Sequence, residues 1–354
     1  MCCLHPLFSS FCLTFNLMFG FFIRRTLWII PVLFTVAVVT FFLMHRAPGG
    51  PWDTDKPLAA NTLAALNAKF GLDKPQWFNP AAVSAARADG VTNPLTLGRA
   101  FLDSQFFNYI GGAIQGDLGP SYSSKGTQTV QAEITSKFPF SLKIGLVGIV
   151  FAVLVGLPLG IIAALRQNTW VDYVSLFVAT IGVSVPTFII GVLLIIFLSS
   201  NLGIAPIRRP EEWNGLGSAY LLPGIVLGLG TMAFIMRLTR SSMLEIKRQD
   251  YIRTARAKGL SEIRVIGRHM VRNGLIPVVT ILGPAIADLV TGSFIIENIF
   301  GVPGLGTEFV DSIRSRDYSM IMGTTLFYAL LVAVANLTVD LSYGVLDPRI
   351  RARR

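Results

Sequence analysis

Apolar residues in this chain gather into runs of about 20, long enough as helices to cross a bilayer, and two long polar stretches separate some of them. Read with a window of about 19 residues, six runs stand out, roughly Leu27–Met44, Leu142–Leu165, Tyr173–Ser199, Leu221–Met236, Ile276–Ile296 and Ile321–Tyr343. At about 1.5 Å per helical residue, such lengths suit a hydrocarbon layer about 30 Å thick. The pattern predicts an all-α polytopic membrane protein with about six transmembrane helices. A polar segment, Arg46 to Lys137, joins the first two runs, and a basic one, Arg237 to Gly274, joins the fourth and fifth. Gly145, Gly148, Gly156 and Gly160 in the second run, and Gly182 and Gly191 in the third, recur at helical spacings that favour close packing. Pro186 predicts a kink within the third.

Composition supports this reading. Hydrophobic residues make up 52% and charged residues only 14%, where a soluble chain has about 25% charged. A soluble enzyme is excluded. The cysteines, Cys2, Cys3 and Cys12, fall in the first dozen residues, so no disulfide framework staples the polar parts. His5, His45 and His269 are too scattered for a histidine metal site. Residues Leu4 to Phe22 are apolar but contain Pro6, Ser9, Ser10 and Asn16, with no preceding Lys or Arg, which argues against a cleaved signal. Residues 1–17 read as a doubtful extension ahead of a start at Met18. The remainder divides into 18–137, the first span plus its loop, and 138–354, a core of five spans with the basic loop 237–274.

The net charge of +10 becomes informative once sorted by side. With the N-terminus inside, one face holds 17 basic residues against five acidic, net +12, and ten of those basic residues lie between Arg237 and Arg272. The other face carries 12 basic and 13 acidic residues. The positive-inside rule places both termini in the cytoplasm, and a partner of nucleic acid is not needed to explain the charge.

The basic loop reads RSSMLEIKRQDYIRTARAKGLSEIRVIGRHMVRNG from Arg240 to Gly274. Asp250 is the expected N-cap of a short helix over Tyr251 to Lys258, with Gly259 as the left-handed residue past its end. Ser261 is expected to cap a second helix through Arg272, closed by Asn273 and Gly274 before Pro277. Small residues Ala255, Ala257 and Gly259 allow a partner to approach, and Arg253, Arg256, Lys258 and Arg264 offer charge.

This loop resembles the cytoplasmic EAA loop of binding-protein-dependent ABC importer permeases, whose pattern is Glu-Ala-Ala, three residues, then Gly. The matching positions are Arg253, Thr254 and Ala255, then Arg256, Ala257, Lys258 and Gly259, and two of the three leading positions depart from the pattern. The form DYIRTARAKGLSE, Asp250–Glu262, followed by RHMVRNGLIP, Arg268–Pro277, is similar to the dipeptide and oligopeptide branch. So are HRAPGGP at His45–Pro51, GGAIQGDLGPSY at Gly111–Tyr122, TGSFIIENIFGVPGLG at Thr291–Gly306 and VDLSYGVLDPRIR at Val339–Arg351. Residues 79–102 fit least and look like an insertion.

The resemblance implies a type I ABC importer permease-like fold in the bacterial inner membrane, and transport of peptides; nickel- and glutathione-type permeases are near relatives. It implies as partners a second homologous permease subunit, two ATP-binding cassette ATPase subunits and an extracytoplasmic substrate-binding protein that docks on the long loop. Asp250, Arg253, Thr254, Ala255, Arg256, Ala257, Lys258 and Gly259 become the ATPase-docking loop. No Gly-Lys dipeptide occurs, so no phosphate-cradling loop of the Walker type exists; the chain is read as no enzyme, with no cofactor of its own and ATP bound by partner subunits.

Pro303 and Gly304, in a turn-rich run after the fifth span, are candidates for a gate. Asp288 in the fifth span, with Asn336 on the sixth, is a candidate lining of the route or a structural hydrogen-bonding group. Asp340 is expected to pair with Arg349 and Arg351. An ion-coupled secondary transporter, using Asp288 and Asp340, is the competing class; an intramembrane enzyme lacks H-E-x-x-H and G-x-S-x-G motifs.

Overall fold

A computed structural model describes the backbone of residues 6–52, 59–203, 213 and 217–346, and the side chains of 22–52, 59–203, 213 and 217–338. The expectations for Asp340, Arg349 and Arg351 concern side chains outside these described residues. The chain begins with α1 (Pro6–Arg46), and the long polar loop holds α2 (Ala60–Phe70), α3 (Pro80–Ala88), α4 (Pro94–Leu102) and α5 (Gln105–Ile114). Next come α6 (Val130–Leu165), α7 (Trp170–Ser184), α8 (Thr187–Leu202) and α9 (Leu221–Lys247). The basic loop contains α10 (Asp250–Ala257), α11 (Glu262–Arg264), a π-helical stretch Val265–Val271 and α12 (Arg272–Gly274). Then follow α13 (Ile276–Thr291), α14 (Phe294–Phe300), α15 (Leu305–Arg314) and α16 (Tyr318–Leu346). Among the described residues there is no strand, only an isolated bridge between Pro120 and Thr129.

Among the described residues, four segments within or containing α1, α6, α9 and α16 are long and apolar enough to cross a membrane, or six if two bent pairs each count as one span. The predicted runs fall on these elements, with differences that have physical causes. The third run is two helices, α7 and α8, bent by 106°, not one kinked span. Pro186 has no N–H to give α7 and forces Val185 into extended backbone (φ −92°, ψ 125°). The fifth run stops at Thr291, because Gly292 takes φ +76°, and resumes as α14. At 36 residues, α6 is about 54 Å long, well beyond a hydrocarbon layer of about 30 Å.

The chain divides into two compact units. The first comprises Met1–Val32, Lys137–Thr307 and Tyr328–Arg354. At its centre α6 lies against α9 with glycine at nearly every close approach. A Cβ on Gly148 would sit 3.0 Å from the carbonyl of Gly224, one on Gly156 2.8 Å from that of Met232, and one on Gly160 2.6 Å from that of Met236. From the other side a Cβ on Gly228 would strike the Gly148 carbonyl, and one on Gly182 of α7 would lie 2.9 Å from Ala233 Cβ. These are the close contacts that the glycine spacing predicts, made at points where any side chain holds the backbones apart.

The second unit comprises Leu33–Ser136 and Glu308–Phe327. Its core is aromatic: Phe41 meets Phe106 edge-on at 5.2 Å and Trp77 at 5.0 Å, beside Ala37, Met44 and Met322. The stretch 79–102 is a closed helical hairpin. Asn79 and Asn93 cap α3 and α4 through Ala82 N and Leu95 N, each ahead of a proline at the first helical position. Its base is tied by Asn79 N to Phe101 O (2.8 Å) and Asn79 Nδ2 to Asp103 O (3.1 Å). Asp317, 1% exposed, accepts from Ser121 Oγ (2.6 Å), Ser123 N (2.9 Å) and Met320 N (3.0 Å), fixing the start of α16 to the 121–123 loop.

Because the atom facing Gly156 is a backbone carbonyl, it cannot swing aside. Gly156→Leu is expected to cost about 1–3 kcal/mol through overpacking, read as a lower thermal midpoint in detergent. Gly98→Ala, where nothing lies within 4 Å, is expected to leave the midpoint unchanged or raise it.

Candidate functional site

Past α9 the chain turns through Arg248 and Gln249 into α10. Gln249 (φ −72°, ψ 146°) occupies the N-cap position without a side-chain capping bond, so Asp250 is the first helical residue and not the predicted cap. Its carboxylate still lies in the first turn, where the helix dipole favours it. The far end follows the expectation. Gly259 has φ +76°, Leu260 N donates to Ala255 O (3.4 Å) and Gly259 N to Arg256 O (2.9 Å), the double bond of a left-handed helix end. A Cβ at Gly259 would meet nothing within 4 Å, so glycine serves backbone conformation there and not space. Across this turn Arg256 reaches Glu262 with two bonds, Nη2 to Oε1 at 2.6 Å and Nε to Oε2 at 3.2 Å.

The second half differs from the prediction. Ser261 sits at the N-cap position without a capping bond, and the helix widens into π-helical register around Gly267, a rare form that is frequent at functional sites. Asn273 and Gly274 do not close it. Leu275 keeps helical dihedrals (φ −85°, ψ −9°), and the chain passes into α13 with a bend of 48°.

The two faces of α10 are chemically opposite. Ile252 is fully buried and Ala255 is 6% exposed, both packed with Ala164, Met243, Val265 and Met270. Asp250, Arg253, Thr254, Arg256, Ala257, Lys258 and Gly259 are all exposed. Of the residues proposed from sequence for docking, the structure thus turns only Ala255 inward, where it packs and offers no surface. Sequence reasoning misses Ile263, 85% exposed just past the Gly259 turn. Its signal is an isolated apolar residue in a polar run.

Behind this loop, Asp172 in the first turn of α7 is 1% exposed. Its two oxygens accept from Arg240 of α9, Nε to Oδ1 at 2.6 Å and Nη2 to Oδ2 at 2.8 Å, and Asn168 N donates to Oδ2 at 2.9 Å. The bidentate fork fixes direction as well as distance.

The candidate gate is a tight turn between α14 and α15, built on a carboxylate that the sequence reading does not single out. Glu297 of α14 is 1% exposed. Its Oε2 accepts from Thr307 N at 3.0 Å, and Ser141 Oγ of α6 accepts from Leu305 N at 2.9 Å. Gly304 is buried directly against the Glu297 carboxylate, a Cβ on Gly306 would lie 2.8 Å from Oε2, and Pro303 is half-buried beside them. Glu297 and Ser141 thereby satisfy the free N–H groups at the start of α15. Asp288 and Asn336 are not part of this cluster; both are exposed, and no hydrogen bond joins them. Among the described residues no three His, Cys, Asp or Glu side chains gather as a metal site.

Comparison with known proteins places these features in a family. The model of the family described as "Binding-protein-dependent transport system inner membrane component" matches residues 156–352. The dipeptide transport system permease protein DppB of Bacillus subtilis is 39% identical over 334 residues, 94% of this chain and 98% of that protein. The oligopeptide transport system permease protein OppB of Haemophilus influenzae is 36% identical, covering 94% of this chain and all of its own length. The oligopeptide transport system permease protein AppB of Bacillus subtilis is 37% identical over 94% of this chain and 99% of its own.

Glu297→Leu strands buried N–H groups at the α15 start, each costing about 1–3 kcal/mol, and is expected to lower the thermal midpoint and the folded yield. Glu297→Gln keeps an acceptor oxygen and is expected to fall between the two; a midpoint for Glu297→Leu equal to that of the parent protein would remove the capping role.

Proposed function

The chain belongs to the family of binding-protein-dependent transport system inner membrane components, and on that footing we propose that it is the peptide-carrying permease subunit of an ATP-driven importer. Peptides are the cargo named for relatives 36–39% identical over 94% of the chain. The partners in this reading are a second permease subunit, two ATPase subunits that bind and hydrolyse ATP, and a binding protein received on the long loop between the first two spans. The sorting of 17 basic residues to one face supports cytoplasmic termini and a cytoplasmic basic loop.

The observation that carries the proposal is the two-faced α10. Its exposed face, with Arg253, Lys258 and the neighbouring Ile263, is the surface an ATPase cleft would take. Its buried face, Ile252 and Ala255, is packed on the inner ends of α6 and α9 through Ala164 and Met243. A push on the first face therefore reaches the spans as rigid-body motion, the kind of movement that switches a transporter between inward- and outward-facing states. On the cargo side, Asp288 is bare on α13. A carboxylate facing lipid costs about 2.5–3.5 kcal/mol on insertion scales, so this face belongs against water or the partner permease, as a route lining does.

Gly259→Val forces a β-branched residue into φ +76° and is expected to abolish uptake of a radiolabelled dipeptide by the reconstituted importer, with the subunit still inserted and assembled. Gly259→Asn, which tolerates that conformation, should retain most uptake. Unaltered uptake by Gly259→Val would sink the docking assignment.

A further inference from the structure

The hairpin of α3 and α4 is the stretch that fits the importer pattern least, and the outward side of α4 is apolar. Leu97 and Ala100 are half-buried, whereas Pro94, Leu95, Gly98, Phe101 and Leu102 are all exposed. Their spacing puts those five on one side of the helix, with Thr96 opposite and Arg99 at the edge. Leu95 is 79% exposed. A loop standing in water gains nothing from such a side.

What lies against it follows from where the hairpin is rooted. α1 belongs to the segments apolar enough to cross a membrane, over Phe22–Arg46, and His45 and Arg46 form the polar end of that span. Phe34 precedes His45 by eleven residues, about 16 Å along the helix, which places it about midway through a hydrocarbon layer of about 30 Å. From Phe34 a chain of rings leads to the hairpin. Phe34 is 6.0 Å from Phe106, Phe106 is 5.3 Å from Phe107, and Phe107 is 5.4 Å from Phe78, which stacks on Phe101 at 4.8 Å. Even laid end to end along α1, the three steps to Phe78 reach no farther than about 17 Å, so the hairpin's base lies close to or below the level of His45, where hydrocarbon meets headgroups. A separate contact fixes the same level: Gln76 and Trp77, just ahead of Phe78, border one crevice with Phe42, His45 and Arg46.

The apolar side of α4 is thus continuous with the exposed side of α1 at Phe34 and Phe42, at a height where a bilayer is present whatever other subunits assemble. Charge adds a second argument. Within 79–102 the charged residues are Arg87, Asp89 and Arg99, which make no field of one sign to steer a protein partner. An arginine at the edge of an apolar side suits a phosphate headgroup, its stem along the apolar surface and its guanidinium in the polar layer.

We propose that the α3–α4 hairpin is a membrane anchor, with Leu95, Phe101 and Leu102 of α4 and Phe78 at its root seated in the interfacial layer of the leaflet that α1 reaches at Arg46. The occupant of this face is phospholipid. The inference needs α1 to cross the membrane and is independent of the cargo.

The test uses the full chain with its partner subunits in phosphatidylcholine nanodiscs, its three native cysteines replaced by serine and an environment-sensitive fluorophore attached at Leu95→Cys, Leu102→Cys or Thr96→Cys. At positions 95 and 102 emission is expected to be lost on adding a phosphatidylcholine that carries a nitroxide near its headgroup and to be unaffected by iodide in the water; at position 96 the reverse is expected. Iodide quenching at 95 equal to that at 96 overturns the anchor. Protection from iodide that appears only when the binding protein is added assigns the face to that protein, and protection without quenching by the nitroxide lipid assigns it to another subunit; either result overturns the proposal. Hydroxyl-radical footprinting of the unsubstituted chain in the same nanodiscs repeats the test without labels. Leu95 and Leu102 are expected to escape oxidation, and their oxidation overturns the anchor.

Discussion

Lipid gives two apolar helices no hydrophobic reward for coming together, so the pairing of α6 with α9 depends on backbones close enough for dispersion contact along their length. Glycine on both helices makes that possible. Gly148 and Gly228 face each other's backbones, and Gly156 and Gly160 accept the carbonyls of Met232 and Met236. The other elements of this unit attach to that pair. Arg240 of α9 holds Asp172 of α7, Gly145 of α6 admits the backbone of α13 at Leu289, and Gly274 of α12 fits against Met243 of α9.

A contact so close transmits motion and does not absorb it, because packed interiors have few voids to collapse into. Changes of direction fall at particular joints: the 106° break ahead of Pro186, the 48° bend at Leu275 and the end of α13 at Gly292. Between those joints the helices are stiff. The basic loop is joined to this body through the buried side of α10, so its position and that of the α6 and α9 ends are one variable.

Much of this is legible in the sequence. The apolar runs locate the helices, the glycine spacing names the α6 side of the α6–α9 contact but not its partners Gly224 and Gly228, and Gly259 marks the end of α10 because only φ is at stake there. What the sequence does not show arises from contacts distant along the chain. Asp172 reads as one more surface acid until Arg240, 68 residues on, folds onto it. Ala255 reads as a small contact residue like Ala257, and only the packing under α6 and α9 tells the two apart. The predicted closure at Asn273 and Gly274 fails because helix continuation into α13 satisfies the same backbone groups that a cap would.

Two of the buried carboxylates, Asp317 and Glu297, accept from the N–H groups of a helix start, and the third, Asp172, is held by the Arg240 fork. Asp172 sits in the first turn of α7, Asp317 caps α16 through Met320 N, and Glu297 reaches across to Thr307 N at the start of α15. A helix start supplies unsatisfied N–H groups and a favourable dipole, and those are what a buried anion requires. These acids are therefore committed to architecture, each holding a place where the chain changes direction.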